Sequence, residues 1–171
     1  MTMLNGNKEY FDVVNKDDNV IGKASRKECH SNPRLIHRGA CIIIVDDIGR
    51  ILLQKRSMKM DMCKGKWDFS ASGHNNLGEN YDKAAKRELK EELGLSLTLK
   101  KIGKMLVNMK NQTEFDVIFS ARINDSTLRI DFDKNEISEV RFFTLDELRS
   151  IPEQNLVDNF WDIMNFYLAS R

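Results

Sequence analysis

The chain has 171 residues, 41% hydrophobic and 31% charged, with 27 Lys+Arg against 26 Asp+Glu. That length supports one domain with a real core, taken as residues 1–171, and a net charge of +1 gives no electrostatic reason to expect a nucleic acid polymer or an anionic membrane as partner. No apolar run approaches the ~20 residues of a membrane span, and MTMLNGNKEY lacks a signal-peptide pattern. Three cysteines, Cys29, Cys41 and Cys63, form no metal-type pair and fit a reduced, cytoplasmic setting.

In chain order, FDVVN (11–15) and VIGKASR (20–26) flank KDDN and predict a hairpin. Residues 1–27 are then an N-terminal hairpin extension, which could serve a homodimer or cover a sheet edge. Residues 25–30 begin a short helix that Pro33 stops. ACIIIVDD (40–47) is continuous enough for a strand buried on both faces, and Cys41 within it reads as a small core residue. A turn at Gly49 leads into the strand ILLQKRS (51–57), then a loop over 58–66 and a strand WDFSAS (67–72).

Residues 73–95, GHNNLGENYDKAAKRELKEELGL, fit G-x5-E-x7-R-E-U-x-E-E-x-G-U, with U aliphatic. The fixed positions are Gly73, Glu79, Arg87, Glu88, Leu89, Glu91, Glu92, Gly94 and Leu95. A helix from about Glu79 to Leu93, with Gly94 as its stop, puts Glu88, Glu91 and Glu92 at i, i+3 and i+4, on a stripe roughly 100° wide. Three carboxylates that close repel one another unless a cation neutralises them, and hard divalent ions do this while keeping positions for phosphate oxygens. Ala85, Leu89 and Leu93 make the adjoining apolar stripe, and Lys83, Lys86 and Lys90 the solvated side. An ordinary Glu/Lys-rich surface helix would explain that pattern but not the framing by Gly73, Glu79 and Gly94.

Strands follow over 97–109, with a break, over 113–123 and over 139–145; TLDE (144–147) is a capping box opening a helix toward residue 150. A last helix near 155–169 spaces Leu156, Phe160, Ile163, Met164 and Tyr167 for packing. Many strands and few helices point to an α/β fold, a mixed β-sheet between helices in an α/β/α sandwich.

The 73–95 window resembles the Nudix box, the signature of enzymes that cleave a diphosphate bonded to another moiety. The resemblance implies the same sandwich and a small-molecule diphosphate substrate. It also implies Mg²⁺ or Mn²⁺ held by Glu88, Glu91 and Glu92, with the Gly73 carbonyl as a further ligand. Arg87 would orient the glutamates with Glu79 as its partner, and Glu136 in DKNEISEV is the candidate general base, with Glu139 second. Glu136 and Glu139 read equally well as a solvated acidic loop.

The segments ECHSNPRLIHRGA (28–40) and SASGHNNLGE (70–79) resemble the branch containing type I isopentenyl-diphosphate isomerase and its hydrolase relatives. That resemblance makes His30, His37 and His74, with Glu114, ligands of a second divalent metal, for which Zn²⁺, Mn²⁺ or Fe²⁺ suits the donors. Gln112 stands where the branch has another glutamate, and Ser72 where the isomerase has its acid–base cysteine. Arg56 would grip the diphosphate with Lys59 nearby, although Lys55, Lys64 and Lys66 crowd the same region and lysines often only solvate a loop. Trp67, in Gly65-Lys66-Trp67, reads as packing. The expected activity is hydrolysis of the diphosphate linkage of a nucleoside diphosphate derivative or similar metabolite. An isopentenyl-diphosphate isomerase and a non-catalytic binder of a diphosphate metabolite stay open beside it.

Overall fold

The computed structural model describes residues 9–124 and 130–170; the opening residues, read above as carrying no leader, lie mostly outside it. The alternation Phe11–Val13 folds β1 (Tyr10–Val14) against β2 (Val20–Ser25) as an antiparallel hairpin. Asp18 takes φ 62° in the connecting turn, a left-handed position that Asp tolerates. Its side chain accepts from Arg38 Nε (2.6 Å), Lys104 Nζ (2.8 Å) and the Tyr81 hydroxyl (3.0 Å), while Asp12 accepts from the Gly78 N–H (2.9 Å). These bonds dock the hairpin on the body of the fold. A Ser25–Glu28 capping box then opens α1 (Arg26–Cys29).

The isoleucine run becomes β3 (His37–Asp46), buried along nearly its whole length as expected for a strand covered on both faces. Then come β4 (Ile51–Arg56), β5 (Trp67–Asp68) and β6 (Ala71–His74). The signature helix is α2 (Tyr81–Leu93), capped by Asn80 and stopped by Gly94 at φ 67°. It starts two residues later than the pattern predicts, because Asn80 takes the cap. β7 (Lys100–Asn108, with a bulge near Gly103), β8 (Thr113–Ile123) and β9 (Ile137–Phe143) complete the strands. α3 (Leu145–Ser150) carries the predicted Thr144–Glu147 capping box.

The helix expected over 155–169 is shorter. One 3₁₀ turn at Glu153–Asn155 comes first, and α4 spans Phe160–Ser170. The Val157 N–H is drawn to the Trp67 carbonyl (3.0 Å) and Asn159 turns to φ 59°, so the chain docks on β5 before it can coil.

β3 pairs in parallel with β8 along all ten of its residues. Its other edge pairs antiparallel with β6 near its start (Gly39–Ile42) and with β4 only at Val45. β3 and β4 therefore splay, and residues 67–74 fill the gap, with β5 on β4 and β6 on β3. The strand predicted over 67–72 is thus two short strands. Ser70 sits at the fork: its hydroxyl accepts the Ile44 N–H (2.8 Å) and donates to the Leu52 carbonyl (2.6 Å), satisfying backbone groups that the fork leaves unpaired.

One face of the mixed sheet packs Ala40, Ile42, Ile44 and Val117 against Ala84, Ala85, Leu89 and Leu93 of α2. The other packs Cys41, Ile43, Val45 and Ile118 against Leu148, Phe160, Ile163 and Met164 of α3 and α4. This is the α/β/α sandwich expected from the sequence. No described helix is long and apolar enough to cross a membrane.

Candidate active site

β6 is the plate on which two sets of polar side chains meet. On the α2 side, Glu92 is 5% exposed, and both the Ser72 N–H (3.0 Å) and Gln54 Nε2 (2.8 Å) donate to its Oε2. Glu88 takes Arg87 Nη1 on Oε1 at 2.6 Å. Each carboxylate thus has one oxygen anchored by protein and the other open. Gly73 is required here: a Cβ at that position would overlap the Glu88 carboxylate. Glu91 is exposed and touches only Arg87 (3.3 Å).

Arg87 organises the group. It grips Glu79 through Nε (3.1 Å) and Nη2 (2.8 Å), a bidentate pair, and Nη2 also donates to the His74 carbonyl (2.9 Å). Burial pushes the Glu88 carboxyl up to about 7 despite the adjacent guanidinium, and pushes Glu92 well above the carboxylate range, with Glu88 adding repulsion. Such a stripe asks for a cation. The open oxygens and the Gly73 approach fit a hard divalent ion.

On the other side of β6, His74 points toward His30 and His37. Nitrogens of the three rings lie within 4.8 Å of one another, with His30 and His74 Nε2 atoms 3.2 Å apart. Glu114 Oε2 lies 3.3 Å from His74 Nε2 and 3.5 Å from His37 Nε2. Register explains the meeting: His37 pairs with Glu114 across β3–β8, and His74 sits opposite Gly39 on the other edge of β3. Phe11 from the hairpin stacks on His37 and His74, with centroids 5.3 and 4.9 Å away. Burial lowers His37 to about 4 and His74 to about 3, and lowers His30 further, so all three imidazoles are neutral near pH 7. Buried His37 Nε2 has no hydrogen-bond partner. Neutral nitrogens converging beside a carboxylate, one of them orphaned, fit a divalent transition metal.

Between the two sets, Arg56 Nη1 donates to Asp68 Oδ2 (3.0 Å) and Nε to the Met62 carbonyl (3.1 Å). Part of this guanidinium is therefore already engaged. The Ser72 hydroxyl lies 3.4 Å from the same Asp68 oxygen. Lys59 is exposed on the loop before β5. Glu136 is half-buried and raised by burial and by Asp133, and Glu91 and Arg56 are near enough to act on it. Glu139 is exposed on β9 opposite Lys55. Lys55 lies over the Trp67 ring and Lys66 pairs with Asp158, so both have structural partners. Gln112 is buried, with Nε2 on Met109 Sδ and Oε1 without a partner.

Sequence reasoning missed Gln54, Asp68 and Phe11. Asp68 was readable as an acid inside an apolar strand. Gln54 and Phe11 carry no local signal, because their neighbours come from distant strands.

Residues 35–162 match the family described as NUDIX domain. The chain is 33% identical over 148 residues to an isopentenyl-diphosphate Delta-isomerase 2 of Photorhabdus laumondii, covering 84% of this chain and 81% of that protein. It is 32% identical over 136 residues to a prenyl-diphosphate phosphatase of Methanosarcina mazei, covering 79% of each. In fold it is similar to the DR0079 protein of Deinococcus radiodurans, with a TM-score of 0.79 at 22% identity over 92% of this chain and 98% of that one.

Proposed function

The chain belongs to the NUDIX domain family, and on that premise we propose that it is a divalent-metal-dependent hydrolase of a small-molecule diphosphate. Its reaction is cleavage of a P–O–P linkage, in a nucleoside diphosphate derivative or a similar metabolite. The observation that carries this reading is the pair Glu88 and Glu92, each with one oxygen anchored and one open beside Gly73. A protein that only bound a diphosphate would have no need for this buried, mutually repelling pair.

In this reading Glu88, Glu91, Glu92 and the Gly73 carbonyl hold Mg²⁺ or Mn²⁺, which when bound supplies Lewis acidity toward the diphosphate oxygens. Arg87 holds Glu88 in place and is itself fixed by Glu79 and the His74 carbonyl. Glu136, its carboxyl raised by burial and by Asp133, is the carboxylate assigned to accept a proton from the attacking water. Arg56 offers the donors not engaged by Asp68 and the Met62 carbonyl to a phosphate oxygen, and Lys59, exposed on the loop before β5, adds positive charge.

A second reading, allylic isomerisation of isopentenyl diphosphate, is favoured by the histidine cluster with Glu114 and by the name of the Photorhabdus relative. Ser72 weakens it, since a hydroxyl carries protons poorly near neutral pH. The Methanosarcina relative's name brings in a third substrate type, a diphosphate ester of an apolar alcohol, still within hydrolysis. The test is Glu92→Gln in the full chain, assayed for metal-dependent phosphate release. Hydrolysis through the glutamate stripe requires turnover to fall at least about 100-fold with the fold retained; unchanged turnover would refute the assignment.

A further inference from the structure

Asp116 is the one buried acid, among the described residues, that no basic, amide or imidazole side chain and no backbone N–H contacts. Asp46 has Arg50, Asp68 has Arg56, Glu92 has Gln54 and the Ser72 N–H, and Glu114 contacts His37 and His74. On β8, Asp116 is flanked across the sheet by Gly39 on β3 and Met105 on β7. The first has no side chain and the second has no donor. Along its own strand the next polar side chain on that face is Glu114, another acid. An unpartnered buried carboxylate beside a second one is costly unless a cation or a proton compensates it.

We propose that Asp116 is a ligand of the divalent cation held by His30, His37, His74 and Glu114, supplying the second carboxylate that Gln112 does not. The inference rests on the histidine cluster being a metal site. Gly39 makes the geometry workable. A Cβ on it would overlap the Asp116 carboxylate, and Glu114 Oε2 lies 3.2 Å from the same point, so both acids reach into the space over Gly39. His74 pairs with Gly39 on the other edge of β3, so Asp116 and His74 flank the same glycine. Gln112, by contrast, has its amide nitrogen on the Met109 sulfur, and its amide oxygen brings no charge. The charge count agrees: three neutral imidazoles, two carboxylates and one dication sum to zero, whereas Glu114 alone would leave a buried net positive charge.

The test is titration of the full chain with Co²⁺, read by visible absorption, which responds to ligand number and geometry at the imidazole site. Asp116→Asn should weaken Co²⁺ binding at least about tenfold and change the spectrum. In chelator it should melt no lower than wild type, because a neutral amide replaces an uncompensated acid. Unchanged affinity and spectrum would overturn the proposal. Asp116→Ser, which leaves room at the site, replaces the asparagine variant if that one does not fold, with the same two outcomes. His37→Asn separates the layers: lost binding there with intact binding in the Asp116 variant overturns only the role of Asp116. Intact binding in His37→Asn overturns the metal site itself.

Discussion

Replacing Arg87 with alanine removes the clamp between the glutamate stripe and the rest of the fold. The side chain makes a bidentate pair with Glu79, contacts Glu88 and Glu91, and donates to the His74 carbonyl. Removing one partner of a fully buried pair costs about 3–5 kcal/mol. Here Arg87 and Glu79 side chains are 24% and 13% exposed, so water recovers part of that, while the orphaned carbonyl adds about 1 kcal/mol. The expected loss is about 2–4 kcal/mol, or a melting temperature lower by about 5–12 °C for a domain of this size. Calorimetry in chelator measures it. Added Mg²⁺ should restore part of the loss, since Glu88 and Glu91 would then regain a cation. Arg87→Lys keeps the charge but loses the fork and should fall between. An alanine variant melting within about 1 °C of wild type would refute the view that this guanidinium organises the site.

Three further outcomes follow from the geometry. Folding raises the Glu88 carboxyl from 4.5 to about 7, so in the metal-free fold a proton competes with the cation below that pH. Mg²⁺ affinity should therefore climb as pH rises from about 6 to 8, and a flat profile by calorimetric titration would contradict the assignment. The depressed histidines run the other way: His37 and His74 stay neutral in the fold while the unfolded chain takes up protons below the ordinary value of 6.5. They cost nothing above the unfolded value and destabilise the fold below it, so stability should fall as pH drops from about 7 toward 4, with no imidazole titration by NMR between pH 5 and 8; a ring titrating near 6.5 would show that the cluster is solvated. Phe11→Leu keeps apolar volume but removes the flat ring stacked on the imidazoles. It should cost about 1–2 kcal/mol and weaken Co²⁺ binding, whereas unaltered metal affinity would make Phe11 packing alone.

What could be read from the sequence divides along local and non-local causes. The turn at Asp18, the short helix opening at Ser25, the capping box at Thr144 and the stop at Gly94 depend on a few neighbouring residues, and chain order displays those. The stripe of Glu88, Glu91 and Glu92 was visible because helical period alone puts them together. The fork at Ser70 was not, since WDFSAS looks continuous until β3 and β4 splay and take different halves of it. The delayed start of α4 has a similar origin, in a bond from Val157 to the distant Trp67. For the site, the three histidines were noticed through resemblance, but the stacking of Phe11, the anchoring of Glu92 by Gln54 and the isolation of Asp116 arise from strand register. Arg56 was expected as a free phosphate grip; its bond to Asp68 needs residues twelve apart to lie on adjacent strands.

The most direct measurement is product analysis in ¹⁸O-labelled water by phosphorus NMR and mass spectrometry, with Mg²⁺ and with Mn²⁺. The panel spans nucleoside di- and triphosphates, nucleotide sugars, dinucleotides, and isopentenyl and longer prenyl diphosphates. The account predicts metal-dependent P–O–P cleavage of at least one compound, with one ¹⁸O on a product phosphate and the rate abolished by Glu92→Gln. Intact diphosphates throughout, with isopentenyl diphosphate converted to its allylic isomer, would contradict it and move the chemistry to the histidine side of β6.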